Sequence, residues 1–259
     1  RNGREYEHHT PIPEGMEGYN PDVPGLPYYN VTHAREIILN SAYYATALTT
    51  AGLTAASTDE DWRTAAEDNP LDTFNFTDYD LVAWYTQMAD NFADIGFEII
   101  HDIVGDWPTF LAYTDENIDI LEITMGGWCP DYFDPVNMIE PLFATNASSN
   151  WNGLANTTID ANLAKMHTTT GTEKQTVTDL VVTQIFVEQV AGMYIMQDDA
   201  SLYYNGKYIT AGIEDLRSVR GDKYFYNVVF DETQVPSGIP GYSLGAFLLA
   251  ALGASAALI

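Results

Sequence analysis

The chain has 259 residues, 46% hydrophobic and 13% aromatic, which is enough for one large domain or two small ones with a substantial core. Only 10 Lys and Arg oppose 37 Asp and Glu, and the formal net charge of −27 excludes nucleic acid as a partner and a basic pocket for phosphorylated substrates. Such acidity suits a solvated extracellular protein or a saline medium, and both interpretations stay open.

The first 72 residues predict an extended segment, one helix and a loop. Residues 11–27 are rich in Pro and Gly and predict an extended surface segment. Asn30 is placed to cap a helix over residues 31–48. One face of that helix is predicted to comprise Ile37, Ser41, Tyr44, Ala45 and Leu48. The polar residues 49–72, with the acidic run 59–61, predict a solvated loop.

Residues 73–125 alternate between strand and helix patterns. Strands are predicted over residues 73–79, 97–103 and 118–125. The first intervening helix ends at Gly96, and Asp106 with Pro108 predicts the start of the second, which carries Phe110 and Leu111. The apolar face of the first helix is predicted to comprise Leu81, Tyr85, Met88, Phe92 and Ile95. This order predicts an α/β fold with a parallel sheet and right-handed crossovers.

The third predicted strand leads into residues 126–135, GGWCPDYFDP, called the motif loop below. Pro130 and Pro135 each remove a backbone donor, so the stretch predicts a rigid loop at the carboxyl end of a strand, where α/β sheets bind ligands. Trp128 offers a flat apolar face, and Asp131 offers a fixed carboxylate for an ammonium group. The alternative interpretation is a well-packed turn with Trp128 in the core.

Two helices and several short aromatic strands are predicted after the motif loop. The apolar face of the first helix is predicted to comprise Ile159, Leu163 and Met166. That of the second helix is predicted to comprise Val177, Leu180, Val181 and Ile185. The aromatic strands are predicted over residues 193–197, 201–205 and 224–230.

Residues 239–259, IPGYSLGAFLLAALGASAALI, carry no charge and follow a predicted linker at residues 233–238. At about 1.5 Å per residue, a helix of this length crosses the hydrocarbon core of a bilayer, about 30 Å thick. Tyr242 lies where an interfacial aromatic residue belongs. The segment predicts a transmembrane helix, and the alternative is a buried core helix. The start at Arg1, without Met or a signal peptide, and the missing basic flank at the other end predict truncation at both ends.

Catalytic and metal-binding patterns are missing from the sequence. The five histidines lack metal-ligand spacing, and there is no phosphate-binding loop or nucleophile elbow, so no cofactor is predicted. Asp131 and Asp134 resemble a general acid and base pair, but paired carboxylates are common in so acidic a chain, and a secreted hydrolase is the weaker alternative. The single Cys129 is either a buried thiol or half of a bridge to a cysteine outside the sequence.

Four N-x-S/T sequons occur in the chain. Asn30 is set aside, because its side chain is expected to cap a helix. The remaining candidate glycosylation sites are Asn75, Asn146 and Asn156.

The motif loop and its surroundings resemble the solute-binding proteins of peptide and nickel ABC importers, the family 5 extracellular solute-binding proteins. The resemblance is carried by GGWCPDYFDP, PLF at 141–143, NWNGLANTTID at 150–160, PIPEGMEGYN with YYNVTHAREIIL, and the helix from Gln87 to Gly96. It implies a two-lobed flytrap, the class II periplasmic-binding-protein-like fold, which closes on its ligand about a hinge. Complete members are much longer, so residues 1–192 are identified as part of the second lobe and 193–232 as a return segment to the first.

The resemblance also implies a ligand site in the motif loop. In peptide binders of the family, the first Asp of this motif receives the α-amino group of the ligand, and here that residue is Asp131. Trp128 is then a wall of the pocket, and Cys129 is implied to pair with an upstream cysteine. Met125 stands where some peptide binders carry a basic residue for the ligand's carboxylate. The predicted ligand contacts are Gly127, Trp128, Cys129, Asp131 and Tyr132.

The function implied by the resemblance is a binding protein rather than an enzyme. It captures oligopeptides or dipeptides outside the cell for the permease subunits of an ABC importer. The apolar segment 239–259 is similar to the C-terminal tethers of archaeal surface receptors, and its Pro-Gly-Tyr start resembles archaeal signals that are cleaved and replaced by a lipid. Either version places the lobes on the outer face of the cell membrane. The alternatives are a surface structural or adhesive protein, and a receptor of the same fold for a nickel chelate or an oligosaccharide.

Overall fold

A computed structural model of the chain describes residues 5–79, 82–194, 196–198, 209–211 and 229–230. In chain order the described elements are β1 (Glu5–Glu7), α1 (Val31–Leu39), α2 (Ala45–Ala51), α3 (Asp59–Asp68), β2 (Thr73–Asp78), α4 (Val82–Ala93), β3 (Glu98–Ile103), α5 (Trp107–Asn117), β4 (Ile123–Thr124), α6 (Pro135–Phe143), α7 (Thr157–Met166), α8 (Gly171–Val182), a π-helix (Thr183–Glu188), β5 (Met196–Asp198), β6 (Ile209–Ala211) and β7 (Val229–Phe230).

The chain divides into one compact unit of Arg1–Asp198 and a second of Asp199–Ile259. In the second unit, β6 and β7 form an antiparallel pair. The other described elements belong to the first unit. The domain boundaries proposed from the sequence remain a prediction.

The first unit contains a parallel sheet with the strand order β3-β2-β4. β2 pairs with β3 along its whole length and with β4 at two residues, and the helices α4 and α5 connect the three strands. The predicted order of strands and helices and the α/β class are therefore confirmed. The third strand is much shorter than the predicted 118–125, because α5 continues to Asn117 and a turn at 118–120 uses the next residues.

The helix predicted over residues 31–48 is wrong in one respect, because the structure has two helices, α1 and α2. Asn30 caps α1 as predicted, and its side-chain oxygen accepts a hydrogen bond from the His33 N–H at 2.9 Å. At the other end of α1, the Asn40 side chain donates to the Glu36 carbonyl oxygen at 2.7 Å. Such side-chain bonds to nearby backbone groups compete with helix continuation, and the chain turns there.

The face that α1 buries also differs from the predicted one. Ile38 is buried, whereas Ile37 is 59% exposed. Leu48, on α2, is buried as predicted. The turn between α1 and α2 changes the direction of the chain, so a single 3.6-residue period over residues 31–48 does not predict the buried faces of both helices.

Residues 11–27 do not form the predicted surface segment. The segment is irregular, but four of its side chains lie in a hydrophobic core with helices α6 to α8 and the π-helix; they are Ile12, Met16, Val23 and Leu26. Turns shape it, because the Met16 N–H donates to the Pro13 oxygen and the Tyr19 N–H to the Met16 oxygen, both at 3.1 Å. The turn residues bend the chain, and the apolar residues between them add to the core.

Residues 59–68 form helix α3, where the sequence predicts a solvated loop. Thr58 begins it with a capping box: its hydroxyl accepts the Asp61 N–H at 3.3 Å, and its own N–H donates to the Asp61 carboxylate at 2.7 Å. The hydrogen bonds from Thr58 also hold the pKa of Asp61 below its usual value. The helix buries Trp62 in a second hydrophobic core, which also contains Ile38, Leu48, Leu53, Ala65, Leu71 and Phe97.

Among the described residues, three α-helices and the π-helix follow the motif loop, where the sequence predicts two helices. The additional helix is α6, which begins at the last residue of the motif loop, Pro135. Helix α7 has the predicted buried face of Ile159, Leu163 and Met166.

Helix α8 continues directly into the π-helix. Val181 and Ile185 are buried as predicted, but Leu180 is 43% exposed. The buried face is centred on Thr178, Val181 and Val182, one position away from the predicted face.

β1 and β5 form an antiparallel pair near the two ends of the first unit, with Glu5 opposite Asp198 and Glu7 opposite Met196. β5 overlaps the strand predicted over 193–197. The strand predicted over 201–205 lies outside the described residues, and β7 is the part of the strand predicted over 224–230 that the structure describes.

Within the described residues, none of the helices has both the length and the apolar character that crossing a membrane requires. The apolar segment 239–259 and the linker 233–238 lie outside those residues, as does Leu81.

Candidate functional site

The motif loop leaves the sheet at the carboxyl end of β4. Residues 125–130 have no regular structure and residues 131–134 form bends, so the predicted loop is confirmed. The carboxyl ends of parallel strands lie at the same edge of a sheet. The segments that follow β2, β3 and β4 therefore begin at one edge, where open α/β sheets bind ligands.

Asp134 fixes the end of the motif loop to the helices behind it. One carboxylate oxygen accepts the Val136 N–H at 2.9 Å and caps α6, whose first residue is Pro135. The other carboxylate oxygen lies 2.5 Å from the ammonium group of Lys174, a residue that is only 6% exposed. Because both oxygens are engaged, Asp134 is a structural anchor and unsuited to act as a general base beside Asp131.

Trp128 and Asp131 are both hydrogen-bonded to Asn137 in the first turn of α6. The Trp128 indole N–H donates to the Asn137 carbonyl oxygen at 2.6 Å. The backbone N–H of Asp131 donates to the Asn137 side-chain oxygen at 2.5 Å. Asn137 is buried, so both bonds have a fixed partner. Asn137 is not among the site residues predicted from the sequence, although an Asn three positions after a capping Asp is a visible signal.

The predicted ligand residues differ in exposure. Gly127, Cys129, Asp131 and Tyr132 are exposed. Trp128 is half-buried and packs against the core formed with α6 to α8. It is therefore partly the core residue of the alternative interpretation and partly an accessible surface, as a ligand site requires. The buried-thiol alternative for Cys129 is wrong because the residue is exposed; its bridge to another cysteine stays a prediction.

An aromatic cluster that the sequence patterns do not predict lies beside the motif loop. Its members are Tyr79 after β2, Trp107 and Phe110 of α5, and Trp151. Ring centroids are 4.9 Å apart for Tyr79 and Trp107 and 5.9 Å apart for Trp107 and Trp151. Gly126 lies against this cluster, since a Cβ added there would be 2.7 Å from the Trp151 ring.

A buried His–Asp pair lies near the same edge. Asp78, the last residue of β2, is fully buried, and its Oδ2 lies 3.1 Å from the Nε2 of His101, an ion-pair distance without the alignment of a hydrogen bond. The His101 ring is stacked against Tyr85, at 4.3 Å between centroids, and against Phe76. These contacts join β2, β3 and helix α4.

No group of three or more His, Cys, Asp or Glu side chains in the described part of the chain is placed to hold a metal ion. A depression of about 390 Å³ lies elsewhere, between α2 and α3. Short polar side chains line it, including Thr54, Ser57 and Asp68, and no residue of the motif loop does. We place the candidate site at the motif loop, because its exposed polar side chain, Asp131, is carried there by a backbone that is hydrogen-bonded to the buried Asn137.

The three candidate glycosylation sites have different surroundings. The Asn75 amide donates to Glu122 at 2.8 Å, and Asn146 is exposed with a φ of 61°. The Asn156 side chain caps α7 by accepting the Thr158 N–H at 3.0 Å. The reason for setting Asn30 aside therefore applies to Asn156 too, and glycosylation stays a prediction.

No family model and no curated protein matches the sequence of this chain. Solved structures match its fold. HbpA2 from Haemophilus parasuis has a TM-score of 0.60 at 18% identity, covering 89% of this chain and 41% of its own. A dipeptide-binding protein from Pseudoalteromonas in complex with Met-Leu has a TM-score of 0.56 at 18% identity, with the same coverage of 89% and 41%. The periplasmic murein tripeptide-binding protein MppA, in its unliganded open form, has a TM-score of 0.53 at 16% identity, covering 75% and 34%.

These similarities establish the fold. The chain has the α/β fold of periplasmic-binding-protein-like structures and spans about two fifths, or less, of the length of these three. The predicted fold class is confirmed to this extent. Among the solved structures that the chain matches are substrate-binding proteins of ABC transporters, which are not enzymes.

Proposed function

We propose that this chain is the ligand-recognition lobe of a substrate-binding protein that captures peptides outside the cell and delivers them to the permease subunits of an ABC importer. One observation carries the proposal. The Asp131 side chain is exposed on a loop at the carboxyl edge of a parallel sheet, while its backbone is fixed to the buried Asn137. An exposed carboxylate on a fixed backbone is suited to recognise an ammonium group.

Asp131 receives the α-amino group of the peptide. A charge-assisted hydrogen bond between carboxylate and ammonium gains strength when the closing cleft removes water. Open space beside Gly127, where an added Cβ would meet no atom within 4 Å, lets the peptide backbone approach the loop. Tyr132 and Cys129, both exposed, form the neighbouring surface.

The aromatic residues form the apolar part of the site. Trp128 presents its outer side to the ligand while its indole N–H stays bonded to Asn137. Trp107 is 37% exposed, and with Tyr79 and Trp151 it extends the apolar surface toward β2 and β3. Flat apolar surfaces accept varied side chains, which suits a receptor that recognises the peptide backbone and amine.

The remaining cleft wall belongs to the first lobe, most of which lies outside this chain. The chain spans about two fifths of the length of structures such as the dipeptide-binding protein, and these share its fold at 18% identity or less. We place the first lobe across the motif loop, with closure about a hinge between the two lobes, and residues 193–232 lead back to the first lobe. The net charge of −27 suits an extracellular, solvated protein.

Residues 239–259 attach the receptor to the outer face of the membrane, as a helix or as a signal replaced by a lipid, in the manner of archaeal surface receptors. The support for this anchor is the uncharged sequence of the segment. Cell fractionation with an intact mass of the membrane-bound form distinguishes the two versions. A protein that carbonate extracts and that retains Ile259 contradicts both.

The test of peptide recognition uses the longest natural protein that contains this chain. Calorimetric titration with a tripeptide is expected to show binding, and Asp131→Asn is expected to weaken it by about 2–5 kcal/mol. An N-acetylated tripeptide should lose a similar amount with the unmodified protein. The matched control is Asp115→Asn, an exposed carboxylate on α5, which should leave the affinity unchanged.

Other outcomes identify the alternatives. Stabilisation by a nickel chelate or an oligosaccharide, but not by peptides, assigns a different solute to the same fold. A flat response to all three indicates a structural or adhesive protein. If the 259-residue chain alone binds a tripeptide as tightly as the longer protein does, the two-lobed arrangement is contradicted.

A further inference from the structure

Asn137 has an unusual concentration of contacts with the motif loop. Its carbonyl oxygen accepts the Trp128 indole N–H at 2.6 Å, and its side-chain oxygen accepts the Asp131 backbone N–H at 2.5 Å. Its own N–H donates to the Asp134 carbonyl oxygen at 3.0 Å. One residue with 7% exposure therefore contacts three positions of the motif loop.

Helix α6 itself does not depend on the Asn137 side chain. The Asp134 carboxylate caps the helix, the Lys174 ammonium holds that carboxylate, and Pro135 occupies the first helical position. Four further residues of α6 are buried and anchor it in the core; they are Val136, Met138, Ile139 and Phe143. The side-chain oxygen of Asn137 reaches out of the helix to the loop, so its removal is expected to change the loop more than the helix.

The backbone of Asp131 is what this oxygen fixes. Asp131 is exposed, so core packing does not determine its position. An ordered backbone lowers the entropy cost of forming a directed contact with a ligand. A buried acceptor at hydrogen-bond distance from the Asp131 N–H supplies that order.

We propose that Asn137 is the positioning residue of the motif loop, which fixes the Asp131 carboxylate for the ligand's amine without touching the ligand. The ligand part of this inference rests on the proposed function. Its positioning part does not, because it concerns the loop in the absence of ligand.

The first measurement needs no variant. Amide hydrogen exchange followed by NMR in the 259-residue chain should be slower at Asp131 than at Cys129 and Tyr132, whose N–H groups donate no hydrogen bond within the described residues. Equal exchange at the three positions overturns the proposal.

The second measurement compares Asn137→Leu with Asn137→Asp. Leucine is similar in size and has no acceptor, so the Asp131 amide should exchange about tenfold faster, the effect of one lost hydrogen bond. Aspartate keeps an acceptor oxygen and should restore the slow exchange. The matched control is Asn162→Leu, which removes a buried amide bonded to Gln184 at 2.9 Å, away from the loop.

A purely structural role predicts that Asn137→Leu and Asn162→Leu change loop exchange equally, and this result overturns the proposal. In the longer natural protein, Asn137→Leu should weaken tripeptide binding about tenfold while Asn162→Leu should not. Equal affinities overturn the ligand role. If the unmodified protein binds no tripeptide, the proposed function fails, and the exchange data decide the positioning role alone.

Discussion

The two aspartates of the motif loop lie three positions apart and have opposite surroundings. The Asp131 side chain is exposed, and its backbone is fixed by Asn137. Asp134 caps α6 and binds the buried ammonium of Lys174. The motif loop thus has one part, at Asp131, whose side chain is accessible to a ligand. Its other part, at Asp134, fixes the loop to the helices. Residue type alone does not distinguish the two roles, because the anchoring partner comes from a distant helix.

The largest expected effect separates these two carboxylates. Asp134→Ala leaves the buried Lys174 without its anion and removes the cap of α6, so the free energy of unfolding should fall by about 3–5 kcal/mol. Asp131→Ala removes a side chain that is exposed, so it should lower the free energy of unfolding by clearly less than Asp134→Ala does. Urea unfolding of both variants measures the difference. Equal losses would remove the distinction between the two parts of the motif loop.

A smaller loss of stability is expected from a substitution at the other end of the motif loop, at Gly126. In Gly126→Ala, the added Cβ would lie 2.7 Å from the Trp151 ring, and the overpacking should cost about 1–3 kcal/mol. The matched control, Gly127→Ala, adds a methyl group in open space and should change stability by less than about 0.5 kcal/mol. Thermal unfolding with tryptophan fluorescence measures both. A neutral Gly126→Ala would show that the loop is not packed against the aromatic cluster.

The smallest expected effect is a pH dependence in the core behind the motif loop. Burial lowers the pKa of His8, whose Nε2 lies 3.0 Å from the Ile12 carbonyl oxygen and whose ring stacks on Tyr19. As the pH falls below about 6.5, the unfolded chain binds a proton that folded His8 resists, so stability should decrease. The contribution is absent at higher pH, where His8 is neutral in both states.

The measurement is the melting temperature from about pH 7.5 to about pH 5.5. His8→Gln should flatten the profile relative to the unmodified chain, whereas His33→Gln, a position with 58% side-chain exposure, should not. The difference between variants is decisive, because acidification also relieves repulsion among the carboxylates of so acidic a chain. Parallel profiles for all three proteins would show that His8 is not coupled to folding.

Local patterns in the sequence predicted the part of the fold that depends on local rules. The alternation of strand and helix after residue 73 and the caps at Asn30 and Asp106 are confirmed. Helix α3 is not evident from the sequence, because its capping box uses Asp61 where Glu or Gln is usual, and because an acidic run like its first turn is also typical of a solvated loop. Helix α6 is not evident either, because Asp134 and Pro135 end a stretch that predicts a loop, although Asp followed by Pro also begins helices.

The rest of the site depends on contacts between distant parts of the chain. The aromatic cluster joins Tyr79, Trp107 and Trp151, which share no sequence period. Lys174 reaches Asp134 from a helix 40 positions away. The sequence predicted which residues of the motif loop could recognise a ligand, but not which residues position them.

The antiparallel pair of β1 and β5 has a consequence for the engineering of this protein. Because Glu5 lies opposite Asp198, the chain enters and leaves the intervening region at adjacent positions, about 5 Å apart at the Cα atoms. The region between β1 and β5 therefore has its two ends side by side, as a domain inserted into a loop of another protein must have. In a protein limited to residues 5–198, a short linker between these two strands permits circular permutation, with new termini in an exposed turn such as the one after α1.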